Sequence, residues 1–356
     1  LVGVHTPTET RGRAKTLSEL TPAELQDWLA QHGQPKFRGA QIQEWLWTHF
    51  ATSYEQMSNL PKDLRALLAD QMDLGILQQV DQQVSTDGTA KWAFQDAAQR
   101  RFETVMIPDE DRRTACVSSQ VGCAMGCAFC RTAQMGFQRN LGSGEILQQV
   151  AHVRRWLRDT QQPPLTNIVF MGMGEPLNNL SNVLQACQVL THPKGFGMSP
   201  RRITISTSGL VSGIERLARE APQFHLAISL NSSNDAMRDQ VMPVNRRHPI
   251  HELLQAGDAW SLAADWPVTY EYVLIGDVTC TSQAAREVAS LLGGRHCKVN
   301  LIPLNAADDI PLRAPTQGEV LDFESRLVDA GLQVYLRKPK GQDILAACGQ
   351  LAQKGK

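Results

Sequence analysis

Cys123, Cys127 and Cys130 form a C-x3-C-x2-C array, a density of thiols that packing alone does not explain. Spacers this short let one loop wrap its sulfurs round a single centre. A structural zinc site would want a fourth ligand close by, as a second C-x2-C or a His pair, and none follows. Three cysteines without a fourth suit a 4Fe–4S cluster with one iron left open to an outside ligand. Three small buried residues are the bland alternative. A second run that could do chemistry is Gly172-Met173-Gly174-Glu175-Pro176, a carboxylate on a turn whose glycines let the backbone approach a ligand closely. On its own such a turn is ordinary strand-to-helix punctuation. Five other cysteines lie at 116, 187, 280, 297 and 348. Disulfide scaffolding is not expected in a cytoplasmic chain of this size, and Cys187, Cys280 and Cys297 read as small buried apolar residues.

The elements that must position these groups fall into two parts. Thr21-Pro22-Ala23-Glu24 combines a capping box with Pro at the first helical position, and Leu25, Trp28 and Leu29 follow at helical spacing. Ile42, Trp45, Leu46 and Phe50 repeat that stripe, as do Leu64, Leu67 and Leu68, so residues 20 to 75 read as a small helical unit. A β-hairpin is expected over 79 to 104, round the turn Thr86-Asp87-Gly88-Thr89, and the domain boundary is set at 95. Strands are then expected near 114 to 119, 167 to 171, 202 to 206, 224 to 230, 268 to 275 and 297 to 302. Helices are expected near 144 to 158, 179 to 191, 211 to 219, 250 to 263, 281 to 292 and 317 to 330. Six β/α units of this kind predict a parallel sheet covered by helices, an α/β partial (βα)6 TIM-like barrel over 96 to 356 behind an accessory domain over 1 to 95. A doubly wound open sheet competes, but polar or Gly-rich runs follow nearly every strand, whereas an open sheet concentrates them at one switch point.

The 356 residues are 42% hydrophobic and 20% charged, which excludes an acidic disordered tail, a collagen and a Cys-dense secreted mini-protein. A formal charge of −1 on its own argues against a nucleic-acid partner. Residues 1 to 90, however, carry 7 basic and 11 acidic side chains, so the remainder is net basic. Basic knots at Arg131, Arg139, Arg154, Arg155 and Arg158, at Lys194, Arg201 and Arg202, and at Arg337, Lys338 and Lys340 predict a positive rim round the barrel mouth. No apolar stretch is long enough to span a membrane, and the start from Leu1 to Glu9 lacks a signal-peptide core, so a cytoplasmic protein is expected. Opening on Leu1 rather than Met suggests that residues precede it.

Phe129, just before the last cysteine, completes the C-x3-C-x-aromatic-C form of the radical S-adenosylmethionine (SAM) enzymes, and the sequence resembles that superfamily. Cys116 in Thr114-Ala115-Cys116-Val117 and Cys348 in Ala347-Cys348-Gly349-Gln350 narrow the likeness to the dual-specificity bacterial RNA adenine-C2 methyltransferases. Lys91-Trp92, Glu103 to Pro108, Gln134 to Phe137, Arg139-Asn140-Leu141, Ser206 to Gly209 and Asn300 to Pro303 extend it almost from end to end. The resemblance implies that Cys123, Cys127 and Cys130 hold the 4Fe–4S cluster and that Gly174, Glu175, Ser206, Ser229, Leu230, Asn231 and Asn305 bind SAM, with Glu175 meeting its ammonium. It implies that Cys348 takes a methyl group from one SAM and that a second SAM yields a 5′-deoxyadenosyl radical. That radical abstracts a hydrogen from the methyl group, whose carbon then adds to adenine C2. Glu103 is then the proton acceptor, and Cys116 releases the RNA, leaving a Cys116–Cys348 disulfide.

The implied substrates are an adenine of the peptidyl-transferase centre in 23S rRNA and the adenine 3′ of the anticodon in tRNA, with an external electron donor and a disulfide reductant as partners of a monomer. Two positions depart from the family pattern. Asn231 stands where His is expected and cannot titrate near neutral pH, which puts an acid–base role there in doubt. Arg131 stands where a small residue is commoner. The helical unit is implied to be an RNA-binding accessory, although its own charge gives no support beyond cations such as Lys36 and Arg38. The nearest rival is a C8-methylating 23S rRNA enzyme with the same cysteines. A rival of another class is a non-catalytic RNA- or iron–sulfur-binding module.

Overall fold

The computed structural model describes residues 15–305 and 310–351. The start from Leu1 to Glu9 lies outside the described residues. Helix α1 (Pro22–Gln31) begins where the sequence demands it: the Thr21 hydroxyl accepts from the Glu24 amide at 3.2 Å, and the Glu24 carboxylate accepts from the Thr21 amide at 2.9 Å. Helices α2 (Phe37–Trp47) and α3 (Lys62–Gln71) complete the helical unit, with Leu25, Leu29, Ile42, Leu46, Leu64 and Leu68 buried between them. The unit shares one core with the rest of the chain. Trp47 packs on Phe196 with ring centroids 5.3 Å apart, and Arg154 stacks over Phe50.

The expected hairpin is the first half of a longer antiparallel meander, β1 (Gln78–Val84), β2 (Ala90–Gln95), β3 (Arg101–Asp109) and β4 (Arg112–Cys116). Its β2–β3 ladder crosses residue 95, and β4 is also the first strand of the parallel sheet, so ten strands form one sheet. The outer face of the meander rests on α5 (Ser143–Asp159): Trp92 meets His152 and Trp156 edge-on at 5.2 and 5.3 Å. Burial pushes His152 down to about 4, so it packs as an uncharged ring. β1 is exposed along its whole length, because alternation in a Gln-rich edge strand hides nothing.

After β4 come β5 (Gln120–Gly122), α4 (Arg131–Gln134) and β6 (Phe137–Asn140), a small hairpin that frames the cysteine loop. The barrel then runs α5, β7 (Asn167–Phe170), α6 (Leu180–Thr191), β8 (Ile203–Thr207), α7 (Val211–Glu220), β9 (His225–Ser229), α8 (Asp235–Val241), α9 (Ile250–Ala264), β10 (Val268–Leu274), α10 (Ser282–Leu292), β11 (Cys297–Pro303), α11 (Gln317–Asp329) and β12 (Val334–Leu336). Strands β4, β7, β8, β9, β10, β11 and β12 are parallel neighbours in that order, six β/α units closed by a seventh short strand. β12 pairs over three residues and α8 spans two turns, both too short for a periodic signal in sequence. Among the described residues no helix is long and apolar enough to cross a membrane.

Candidate active site

The carboxyl ends of the barrel strands open into one cavity of about 940 Å³, counting its mouth, into which the C-terminal segment folds back with Cys348 and Gly349. Parallel barrels carry their chemistry at this end because each loop there starts from a fixed strand. Cys123, Cys127 and Cys130 line one wall, between β5 and α4. The loop leaves β5 through Gly122, whose φ of +71° favours glycine and whose missing side chain makes room for the Gly136 carbonyl. Burial pushes the Cys123 thiol up to about 12 and the Cys127 thiol well above its ordinary value. Among the described residues no three His, Cys, Asp or Glu side chains converge on a point that would hold a single metal ion. Three thiols on one wall of a cavity, Cys123 buried and Cys127 and Cys130 half-buried, facing a buried carboxylate, fit a larger centre that takes them as thiolates.

That carboxylate is Glu175, on the turn after β7. It accepts hydrogen bonds from the Ser208 amide at 2.7 Å, the Ser208 hydroxyl at 2.8 Å and the Leu177 amide at 3.0 Å. Gly174, at φ +101°, lies against Gln120, where a Cβ would stand 2.5 Å from the Gln120 Cβ. The Gln120 amide oxygen in turn accepts from the Glu175 amide at 2.8 Å, tying the turn to β5. Burial raises Glu175, and the Ser208 donors oppose that rise. Ser206, Ser229, Asn231 and Asn305 also line the cavity, whereas the Leu230 side chain is buried outside its lining.

Asn231 sits at φ +52°, a left-handed position that Asn and His tolerate better than most residues. Its side-chain oxygen accepts from the Val273 amide at 2.8 Å, so it joins β9 to β10 without titrating. The floor beneath is Arg238, fully buried, which donates to the carbonyls of Ser208, Ser229 and Leu230 at 2.8 to 2.9 Å. One side chain thus gathers the ends of β8 and β9.

Cys348 is held by its backbone. The Asn305 amide nitrogen donates to the Cys348 carbonyl at 3.2 Å, and the Arg131 backbone amide donates to the Gly349 carbonyl at 2.9 Å. The Cys348 thiol is open to the cavity yet ringed by protein atoms, and that burial raises it while the nearby Arg337 guanidinium pulls it back. Cys116, at the end of β4, lies behind it, buried and pushed up to about 12, with Arg337 again the opposing charge. Arg337 is steadied by Glu271 of β10 at 3.8 Å, and Glu271 accepts from Asn300 of β11 at 2.9 Å. Both cysteines are free thiols. Glu103 does not line the cavity; it is buried on β3, where Lys91 stands 3.3 Å away. Of the three cysteines expected in the core, Cys187 and Cys280 are buried, while Cys297, at the start of β11, is only half-buried because the strand end leaves it uncovered.

Residues 117–279 match the model of the radical SAM superfamily, and residues 15–74 match the ribosomal RNA large subunit methyltransferase N-terminal domain. A dual-specificity RNA methyltransferase RlmN from Pelobacter propionicus is 43% identical over 96% of this chain and 96% of its own length. The RlmN from Geotalea uraniireducens is 44% identical over 94% of this chain and 96% of its own. The chain belongs to the RlmN family. A radical SAM methyltransferase from Sphaerobacter thermophilus, known as a crystal structure, superposes with a TM-score of 0.92 at 43% identity, covering 95% of this chain and 99% of that one.

The structure corrects the expected basic rim. Arg201 and Arg202 precede β8, Lys194 follows α6, and Arg154, Arg155 and Arg158 lie in the last turns of α5, so all six sit at the end of the barrel opposite the cavity. Arg139 is consumed by Asp96 and Glu145 at 2.7 to 2.8 Å, and Arg131 is buried. The mouth keeps Arg337, Lys338 and Lys340 after β12. To these the structure adds Arg246 and Arg247, exposed on the mouth side after α8. Ser208, Arg238, Glu271 and Arg337 are site residues of this RlmN-family chain that sequence reasoning did not single out as such. Ser208 and Arg337 carried a signal, Ser208 within the quoted run from Ser206 to Gly209 and Arg337 within the basic knot expected at the mouth.

Proposed function

We propose that this chain methylates C2 of an adenine in 23S rRNA and in tRNA, with Cys348 as the methyl carrier. The observation that carries the reading is Cys348 in one cavity with the three-cysteine loop and the Glu175 turn, with the buried Cys116 thiol close enough behind the cavity wall to feel the charge of Cys348. Adenine C2 is electron-poor, so polar attack on a SAM methyl group fails and the carbon must arrive by a radical route. The 4Fe–4S cluster, when held by Cys123, Cys127 and Cys130, supplies the electron that cleaves SAM. Glu175, oriented by Ser208, meets the SAM ammonium in a water-poor site, where a charge-assisted hydrogen bond is strong. Ser206, Ser229, Asn231 and Asn305 complete its cradle.

Cys348 Sγ takes a methyl group by displacement, and the hydrogen-depleted carbon it then carries joins C2. Glu103 removes the C2 proton, and the one electron left in excess once the carbon has joined C2 would return to the 4Fe–4S centre. The Cys116 thiolate then attacks Cys348 Sγ, the released carbon takes up a proton to become the methyl group, and the disulfide left behind is reopened by an external reductant. Arg337 favours the thiolate at either sulfur. The adenine must be splayed out of folded RNA to reach the cavity, as base-modifying enzymes require. The helical unit and the mouth cations Arg246, Arg247, Lys338 and Lys340 meet the RNA backbone. The protein acts as a cytoplasmic monomer fed by an external electron donor.

Anaerobic reconstitution with iron, sulfide, SAM, reductant and each RNA, followed by mass spectrometry of the nucleosides, tests this. 2-Methyladenosine is expected. 8-Methyladenosine would assign the chain to C8 chemistry, and iron–sulfur absorbance without release of 5′-deoxyadenosine would favour a binding module.

A further inference from the structure

Lys91 touches two parts of the machinery at once. Directly opposed residues of antiparallel strands share a face, and Lys91 of β2 opposes Val105 of β3, which opposes Cys116 of β4. Glu103, two residues along β3 on that same face, lies diagonal to Lys91 and nearer the barrel mouth. The Lys91 ammonium stands 3.3 Å from one Glu103 oxygen and donates to the Leu345 carbonyl at 3.2 Å, with both side chains less than one-tenth exposed. Leu345 is three residues before Cys348 and adopts φ 52°, a left-handed conformation that an unrestrained leucine rarely takes. The other Glu103 oxygen is buried with no hydrogen-bond partner. A buried acceptor left open in this way costs stability and is free to take a proton or a further donor. The turn between β1 and β2 grips the same C-terminal segment further back: Ser85 donates to Asp343 at 2.6 Å, and the Gly341 amide donates to Asp87 at 3.0 Å.

We propose that Lys91 is a positioning residue for adenine methylation, its one ammonium fixing both the carboxylate of Glu103 and the backbone that presents Cys348. The proposal rests on the reading of Glu103 as the proton acceptor. The step it serves is a proton transfer: the Glu103 carboxylate takes the C2 proton and becomes a carboxylic acid, and no electron is gained or lost. A base must be ionised to act. The charged groups facing Glu103 are Lys91 on β2, Asp81 on β1 and Arg131 on α4; burial and Asp81 raise it, while Lys91 and Arg131 lower it, Lys91 more strongly. Burial leaves the carboxyl raised overall, and Lys91 is the strongest of the groups that oppose that rise, so it favours the ionised base, and the same contact ties that base to the carrier it must work beside.

The test follows the protein–RNA adduct by denaturing gel in single-turnover reactions across pH, with hydrogen exchange over residues 341–351 measured on the same proteins. An opposite charge at this range moves a carboxyl by about 1–3 pH units. Lys91→Met is therefore expected to slow adduct resolution by about tenfold or more near pH 7, with recovery at higher pH, and to speed exchange around Leu345. Lys91→Arg, which keeps the charge, is expected to restore both. Lys91→Gln keeps a donor for the Leu345 carbonyl without the charge, so it is expected to show the pH shift with slower exchange than Lys91→Met. It also serves if Lys91→Met does not fold. Glu103→Gln is expected to trap the adduct at every pH. If Glu103→Gln traps the adduct while Lys91→Gln and Lys91→Met show the wild-type pH profile, the role of Lys91 is overturned. If Glu103→Gln resolves the adduct normally, it is the reading of Glu103 that fails.

Discussion

Cys348→Ala is expected to lose methyl transfer to RNA by at least about 10⁴-fold, the scale on which removal of a catalytic nucleophile acts. The fold gives a reason to expect that the loss is chemical. The segment round Cys348 is held through backbone groups, the Cys348 carbonyl by Asn305 and the Gly349 carbonyl by Arg131, and alanine keeps both. The thiol itself opens to the cavity, so its removal uncovers no core, and the unfolding free energy is expected to change by about 0.5 kcal/mol or less. Iron and sulfide content and SAM binding by the variant, measured beside nucleoside mass spectrometry, separate the two causes. Wild-type turnover in Cys348→Ala would refute the carrier role.

Cys116→Ala has the opposite signature. The carrier still loads and still joins the base, but nothing breaks the thioether, so the protein–RNA adduct is expected to accumulate to near the amount of enzyme and turnover to stop after one cycle. Cys116 is buried behind Cys348, where burial pushes its thiol to about 12 and the Arg337 guanidinium is the charge that opposes that push, aided by the Met171 backbone. A thiol so placed is inert until a neighbouring cation or base favours its thiolate, which limits its reaction to the sulfur directly before it. Truncation to alanine removes one buried sulfur and is expected to cost about 1 kcal/mol, too little to unfold a domain of this size. A denaturing gel that shows only free, unmodified RNA would count against Cys116 as the resolving thiol.

What the sequence made legible was local. Three cysteines within one short loop, a carboxylate on a Gly-rich turn and six alternating apolar patterns are each written in consecutive residues, and each recurs in the structure where the spacing predicts it. What it hid depends on pairing across the sheet. Glu175 meets Ser208 across 33 positions, and Lys91 meets Leu345 across 254, contacts that exist only because β7 lies beside β8 and the chain end returns to β2. Arg238 reads in sequence as one more helix cation, yet it is the buried floor of the site. The error over the basic rim has a similar origin. Charge counting does not know which end of a strand a residue flanks, and Arg201 and Arg202 stand just before β8 rather than after it. The resemblance to a family supplied roles for Cys116, Glu103 and Cys348; the register of β2, β3 and β4 supplied the physical reason that Lys91 belongs with them.

In the proposed route the methyl carbon travels by way of Cys348 and loses a hydrogen before it reaches adenine. The most direct measurement uses SAM whose methyl group is fully deuterated. Because one hydrogen leaves the carried methyl group before its carbon bonds to C2, the product methyl is expected to hold two deuteriums and one hydrogen from another source, with the missing deuterium in 5′-deoxyadenosine. A 2-methyladenosine that retains all three deuteriums would contradict the account, since it would mean that the methyl group passed to the base intact.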